Sequence, residues 1–81
     1  MVKVQEIISI LSLIEEDNAV PKNIRTKIKS AMVILEEQNG QSLDVKFDKI
    51  IQDLDELSND PNLPQYTRTQ IWNVVSTLES R

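Results

Sequence analysis

The most constraining feature of this sequence is an internal repeat with an offset of 43 residues. When residues 4–37 are aligned with residues 47–80, ten of the 34 positions are identical. Half of the identical positions are Ile or Leu, and each copy also keeps one Asp, one Pro and one Arg. These are Asp17, Pro21 and Arg25 in the first copy and Asp60, Pro64 and Arg68 in the second. The repeat predicts a single structural unit used twice, and it specifies architecture rather than chemistry.

Composition narrows the possible functions. A chain of 81 residues makes one domain, residues 1–81, and buries only about 60% of its unfolded surface, which leaves little room for a deep active site. The sequence has no cysteine and no histidine, so it lacks the usual general base and the commonest metal ligands. We therefore expect no enzymatic activity, no metal and no cofactor. The net charge of −4 disfavours nucleic acid and anionic lipid as partners.

Apolar spacing predicts four helices, over about residues 2–17, 21–38, 43–58 and from Pro64 onward. Pro21 and Pro64 are expected at the first helical position, and Asn39 and Gly40 are expected to end the second helix before Ser42 caps the third. The predicted buried positions recur three and four residues apart on each helix. They are Val4, Ile7, Ile8, Leu11, Ile14, Ile24, Ile28, Ala31, Met32, Leu35, Leu43, Phe47, Ile50, Ile51, Leu54, Leu57, Ile71, Val74, Val75 and Leu78.

The predicted fold is all-α: an antiparallel four-helix bundle built from two repeated helical hairpins, about residues 4–37 and 47–80, with HEAT-like spacing. A closed bundle is favoured over an open solenoid stack, because terminal solenoid repeats need neighbours or polar caps. The apolar run from Ile7 to Ile14 is too short to cross a bilayer and lacks the features of a secretory signal. We expect a cytoplasmic protein without membrane association.

Two segments resemble a known family. VPKNIR, at residues 20–25, and SNDPNLPQYTRTQIWNVVSTLE, at residues 58–79, are similar to the sequences of a small archaeal family of uncharacterised proteins of unknown function. The resemblance extends over nearly the whole chain. It implies a cytoplasmic, four-helix archaeal protein, and it implies no activity, cofactor or site residue.

Charged residues form three groups that have both structural and functional interpretations. Each repeat places an Asp eight residues before an Arg, which predicts an ion pair pinning the turn. The acidic residues of the third helix lie on several sides of it, so a solvated face is favoured over a metal site. The basic residues of the second helix are expected to be neutralised by the acidic end of the first, with an anion contact as the alternative. The candidate anion contacts are Lys22, Arg25, Lys27 and Lys29.

The two repeats differ in apolar surface. Ile10, Leu13 and Ile34 of the first repeat align with Asp53, Glu56 and Thr77 of the second. Such surplus apolar residues either pack into the bundle or form an exposed interaction surface. Trp72 lies off the apolar stripe of its helix, at a position suited to an interface anchor. The candidate interface residues are Ile10, Leu13, Ile34 and Trp72.

Two classes of function remain. The favoured interpretation is a non-enzymatic protein–protein interaction module that binds itself, as a homodimer through the first hairpin, or binds another protein. The alternative is a nucleic-acid-associated accessory protein that uses the basic residues of the second helix, which the negative net charge disfavours. No nucleophile–base pair supports an enzyme.

Overall fold

The computed structural model describes residues 3–37 and 40–80. Its four helices are α1 (Val4–Glu15), α2 (Lys22–Glu36), α3 (Leu43–Leu57) and α4 (Gln65–Glu79). These described ranges contain no strand. The predicted all-α fold is therefore confirmed, and each predicted helix is present with ends that differ by a few residues. The expected start of α1 at Val2 and the expected end of α2 at Gln38 and Asn39 lie outside the described residues.

The helices form a closed ring in chain order. α1 packs against α2 and α4, and α3 packs against the same two helices, while neither diagonal pair is in contact within the described residues. Contact between the first and last helices is what distinguishes a closed bundle from a stack of hairpins that meet on one side only. The α1–α4 contact is the least extensive of the four.

Local sequence explains how the helices begin and end. The side chain of Ser42 accepts a hydrogen bond from the Val45 amide (3.3 Å), which caps α3 as predicted. Gly40 has a φ of +84°, the left-handed conformation expected of a glycine after a helix. Pro21 and Pro64 precede the first helical residue rather than occupying it, because their ψ of 145° is extended. A proline fits this capping position, since its fixed φ is compatible and no amide hydrogen is required there.

The core contains residues from all four helices and from two loops. Its buried apolar residues are Ile7, Leu11, Ile14, Val20, Ile24, Ile28, Ala31, Leu35, Phe47, Ile50, Leu54, Leu57, Leu63, Ile71, Val74, Val75 and Leu78. Val20 and Leu63 were not predicted to be buried; they occupy equivalent loop positions 43 residues apart. Four predicted core residues, Val4, Ile8, Met32 and Ile51, are only partly buried.

One predicted core residue is wrong, and one charged residue is unexpectedly buried. Leu43 is exposed because it is the first residue of α3, one turn before Phe47 reaches the core. Lys46 is buried, and its Nζ donates a hydrogen bond to the carbonyl oxygen of Glu37, the residue that follows α2. The aliphatic part of the lysine can pack while its ammonium group donates to a carbonyl at the end of a helix.

Candidate functional site: two clefts and an apolar groove

The two hairpin loops have the same hydrogen-bonded geometry. In the first loop, Asp17 Oδ1 accepts from the Ala19 amide (2.9 Å) and its carbonyl oxygen accepts from the Val20 amide (3.1 Å). In the second loop, the corresponding bonds join Asp60 to Asn62 (2.8 Å) and to Leu63 (3.2 Å). The repeated Asp is therefore a turn residue, whose carboxylate satisfies the amide two positions later.

The predicted Asp–Arg ion pairs are wrong in both loops. Arg68 donates to main-chain oxygens instead, from Nε to Ser58 (2.9 Å) and from Nη2 to Asp60 (2.9 Å), and its Nη1 donates to Gln65 Oε1 (3.1 Å). Neither Asp17 nor Asp60 forms a salt bridge with its arginine in the described structure. Each carboxylate accepts from a turn amide through Oδ1, and in the second loop the guanidinium bonds main-chain carbonyls instead.

Arg25 lacks the bonds that its counterpart Arg68 makes. Its Nε is buried and has no hydrogen-bond partner among the described residues. Two of the acceptors of Arg68 are main-chain carbonyls, which the first repeat also has at Glu15 and Asp17; only the third, the Gln65 side chain that serves Nη1, is replaced, by Lys22. A lysine ammonium has no acceptor atom, so it cannot serve Arg25 as the Gln65 amide serves Arg68.

A cleft of about 370 Å³ opens beside Arg25, between the end of α1 and the start of α2; we call it the α1/α2 cleft. Its lining residues are Glu15, Lys22, Arg25, Thr26 and Lys29. Three of the four candidate anion contacts therefore meet in one place. At the equivalent place between α3 and α4, Trp72 occupies the position of Lys29.

The fourth candidate anion contact lies elsewhere. Lys27 and Ser30 line a cleft of about 190 Å³ between α2 and α3 with Asp53 and Glu56; we call it the α2/α3 cleft. Two carboxylates face one lysine there. The acids beside Lys27 thus belong to α3, not to the end of α1 that was predicted to neutralise the basic residues, and one of them, Asp53, is paired with Lys49.

The four candidate interface residues lie on different sides of the bundle. Leu13 and Trp72 are exposed, whereas Ile10 and Ile34 are half-buried against the core. Ile34 lies one turn after Ser30, on the α3 side of α2, and Trp72 lies one turn after Arg68, on the α3 side of α4. Ile10 and Leu13 are the only two that share a surface, so the predicted single interface of four residues does not form.

The repeat correspondence places that shared surface on the side of α1 that faces α4, since α1 and α4 are in contact as α3 and α2 are. Ile10 and Leu13 correspond to Asp53 and Glu56, which line the side of α3 that faces α2. On α4, Gln70 and Asn73 correspond to Lys27 and Ser30. We call these four residues, Ile10, Leu13, Gln70 and Asn73, the α1/α4 groove. It contains apolar and uncharged polar residues where the α2/α3 cleft is charged.

One end of the groove is fixed by a hydrogen bond between repeats. The Tyr66 hydroxyl of α4 donates to Asp17 Oδ2 in the first loop. This bond lowers the pKa of the Asp17 carboxyl, with a further contribution from the Ala19 amide, and it raises the pKa of the Tyr66 hydroxyl. Tyr66 was not among the predicted site residues. The only sign of its role in the sequence is that it occupies the position of Asn23 in the repeat alignment.

The described residues contain no cluster of three or more Asp, Glu, His or Cys side chains that could hold a metal ion. On α3, Lys49 Nζ pairs with Asp53 Oδ1 (2.8 Å), which engages part of the acidic surface. None of the helices in the described ranges combines the length and the apolar character needed to cross a membrane. The features that remain for function are the α1/α2 cleft and the α1/α4 groove.

Comparison with known proteins places this fold in a sequence family. The uncharacterised protein family UPF0147 matches residues 1–80. The UPF0147 protein of Methanothermobacter thermautotrophicus is 45% identical over 71 residues, which cover 88% of this chain and 69% of that protein. The UPF0147 protein of Methanocaldococcus jannaschii is 47% identical over 70 residues, which cover 85% of this chain and 73% of that one.

Two crystal structures have the same architecture. The unknown function protein MMP1188 matches with a TM-score of 0.88 and 45% identity, over 96% of this chain and 88% of that chain. A UPF0147 protein from Thermoplasma acidophilum matches with a TM-score of 0.86 and 34% identity, over 94% and 88%. The resemblance seen in the sequence is confirmed: this four-helix chain belongs to UPF0147, an archaeal family whose function is unknown.

Proposed function

We propose that this chain is a non-enzymatic protein-interaction module that forms a homodimer through the α1/α4 groove. The observation that carries the proposal is the exposure of Leu13, whose side chain is 62% accessible in the isolated chain. The equivalent residue of the second repeat is Glu56, so the fold accepts a charged side chain at this position. An exposed leucine at a position that tolerates glutamate is accounted for by a partner that covers it.

The charge of the groove favours a second copy as that partner. In a two-fold symmetric contact, each surface meets itself, so a net charge on the surface repels its own copy. The protein as a whole carries a net charge of −4. The four residues of the α1/α4 groove add none, since Ile10, Leu13, Gln70 and Asn73 are all uncharged, and the carboxylate at its end, Asp17, is hydrogen-bonded to Tyr66. Two acidic chains can therefore meet along these four residues without direct repulsion.

The test is the Leu13→Glu variant, which installs the residue found at the equivalent position of the second repeat. Light scattering on the wild type should give about twice the chain mass of 9.3 kDa, and Leu13→Glu should give the monomer mass with an unchanged helical circular dichroism spectrum. Ile10 is unsuitable for this test because it is half-buried, so a charge there would also disturb the core.

Val33→Ser is the matched control, since Val33 is also exposed and serine is its second-repeat equivalent. Val33 lies on the outer face of α2, away from the groove, so Val33→Ser should retain the wild-type mass. A monomeric wild type, or an equal loss of mass in both variants, contradicts the proposal. A monomeric wild type would show that no dimer forms. An equal loss of mass would show that the chains associate through exposed apolar residues in general rather than through the groove.

A further inference from the structure

The starting point is the unsatisfied Arg25 Nε. A buried donor on a charged group loses its bonds to water, and leaving it unpaired costs more than leaving a neutral one unpaired. The second repeat shows how the same arginine position is satisfied, because all three nitrogens of Arg68 have protein acceptors. At Arg25, Nε has no such acceptor. Its acceptor is therefore left to solvent or to a bound ligand.

Charge around Arg25 defines the kind of acceptor. Lys22, Arg25 and Lys29 line the α1/α2 cleft against one carboxylate, Glu15, which forms no salt bridge with them in the described structure. Asp17 also interacts electrostatically with Arg25, but it is not part of the cleft lining and its carboxylate is bonded to Tyr66 and to the Ala19 amide. The cleft therefore has a local excess of positive charge.

These cations also sit near the start of α2, where the helix dipole is unfavourable to them. A bound anion relieves both the repulsion among the cations and the cost of the unpaired Nε. The planar guanidinium of Arg25 suits an oxyanion in particular, because its donors can bond two oxygens of one phosphate group, while the lysines add point charges.

We propose that the α1/α2 cleft binds the phosphate group of a small phosphorylated ligand, held by Arg25, Lys22 and Lys29. The surrounding surface limits the size of the ligand. Lys27, which would extend the positive surface along α2, lies in the α2/α3 cleft with Asp53 and Glu56. A long polyanion leaving the cleft would meet a protein of net charge −4. One or two phosphate groups match the volume and the three cations.

Inorganic pyrophosphate is the probe, added to the full chain at constant ionic strength and followed by amide chemical shifts. We expect saturable shifts confined to the end of α1 and the first turns of α2, with a Kd of about 1 mM or tighter. Absence of saturable shifts overturns the proposal, because three converging cations, one of them with an unpaired guanidinium donor, should bind this multiply charged anion above the level of screened surface charge.

Two variants separate a site from general electrostatics. Lys22→Gln and Lys27→Gln each remove one positive charge from α2, and each installs the residue found at the equivalent second-repeat position, Gln65 or Gln70. Lys22→Gln should weaken pyrophosphate binding about tenfold, whereas Lys27→Gln should change it less than about twofold. Equal losses in both variants overturn the proposal, because they show diffuse attraction rather than a built cleft.

A final experiment compares the binding of nucleic acid with the binding of pyrophosphate. A short single-stranded RNA should bind no more tightly than pyrophosphate, with a salt dependence corresponding to one or two phosphate contacts. Tighter RNA binding that Lys27→Gln also weakens overturns the small-ligand proposal in favour of an extended polyanion surface. Arg25→Gln should abolish pyrophosphate binding. Its thermal unfolding is measured alongside, and Lys22→Gln decides the result if Arg25→Gln is unstable.

Discussion

The Thr67→Val substitution should stabilise this protein. Thr67 is fully buried on α4, and its Oγ1 forms no hydrogen bond by distance and angle in the described structure, although it opposes the rise in the pKa of the neighbouring Tyr66 hydroxyl. Its equivalent in the first repeat is Ile24, which is 2% exposed, so the same core position accepts a purely apolar side chain. Valine keeps the shape of threonine and replaces the unpaired hydroxyl by a methyl group.

The magnitude follows from the cost of the hydroxyl. A buried polar group without a partner costs about 1 to 3 kcal/mol, and helix propensity differs little between threonine and valine. In a domain of this size, each kcal/mol shifts the melting temperature by about 4 to 8 °C. Thr67→Val should therefore unfold at least about 4 °C above the wild type, in thermal or urea denaturation followed by circular dichroism.

Two further variants isolate the hydroxyl from the shape of the side chain. Thr67→Ser keeps the hydroxyl and removes a methyl group, so it should lower stability by about 1 kcal/mol. Thr69→Val changes an exposed threonine on the same helix and should stay within about 0.5 kcal/mol of the wild type. If Thr67→Val is no more stable than the wild type, the hydroxyl has a partner and the account of this position is wrong.

Three other predictions concern the core, pH and the turn before α3. Leu54 is fully buried, so Leu54→Ala should lose about 2 to 5 kcal/mol in urea denaturation; a smaller loss would show that the core can close around the cavity. Because the pKa of Asp17 is lowered and that of Tyr66 raised, their bond should stabilise the fold between the ordinary values of about 4 and 10. That stability should be lost as pH falls through the folded-state pKa of Asp17 or rises through that of Tyr66. Tyr66→Phe should remove the alkaline dependence and reduce the acid one, which the Ala19 amide and Arg25 partly retain; an unchanged pH profile would contradict the assignment. Gly40→Ala meets no neighbouring atom but keeps a φ of +84°, so it should lose about 1 to 2 kcal/mol from backbone strain alone.

The sequence predicts the fold well because the residues that form the core recur at helical spacing along the chain. Residues such as Leu11, Ile28 and Leu54 recur at helical spacing, and their burial depends only on which side of a helix faces the centre. Leu43 was mispredicted because periodicity does not show where a helix begins to meet its neighbours. The burial of Lys46 depends on the carbonyl of Glu37 from another helix, which no local pattern encodes.

The candidate sites were predicted only in part, for a related reason. The repeat alignment correctly identified Ile10 and Leu13 as unusual positions, and their common surface follows from their spacing. It could not show that Ile34 and Trp72 face other sides, because that depends on the order of helices around the ring. Likewise, Lys27 is adjacent to the other basic residues in sequence but is directed to the neighbouring cleft by the helical rotation.

The bond between Asp17 and Tyr66 has a consequence for how the chain folds. Three of the four helix contacts join consecutive helices, so they close short loops and can form quickly. The α1–α4 contact is different, since this bond joins residues 49 positions apart. We expect the two hairpins to be structured in the folding transition state and the α1–α4 seam to close afterwards. Tyr66→Phe should then accelerate unfolding and leave the folding rate almost unchanged.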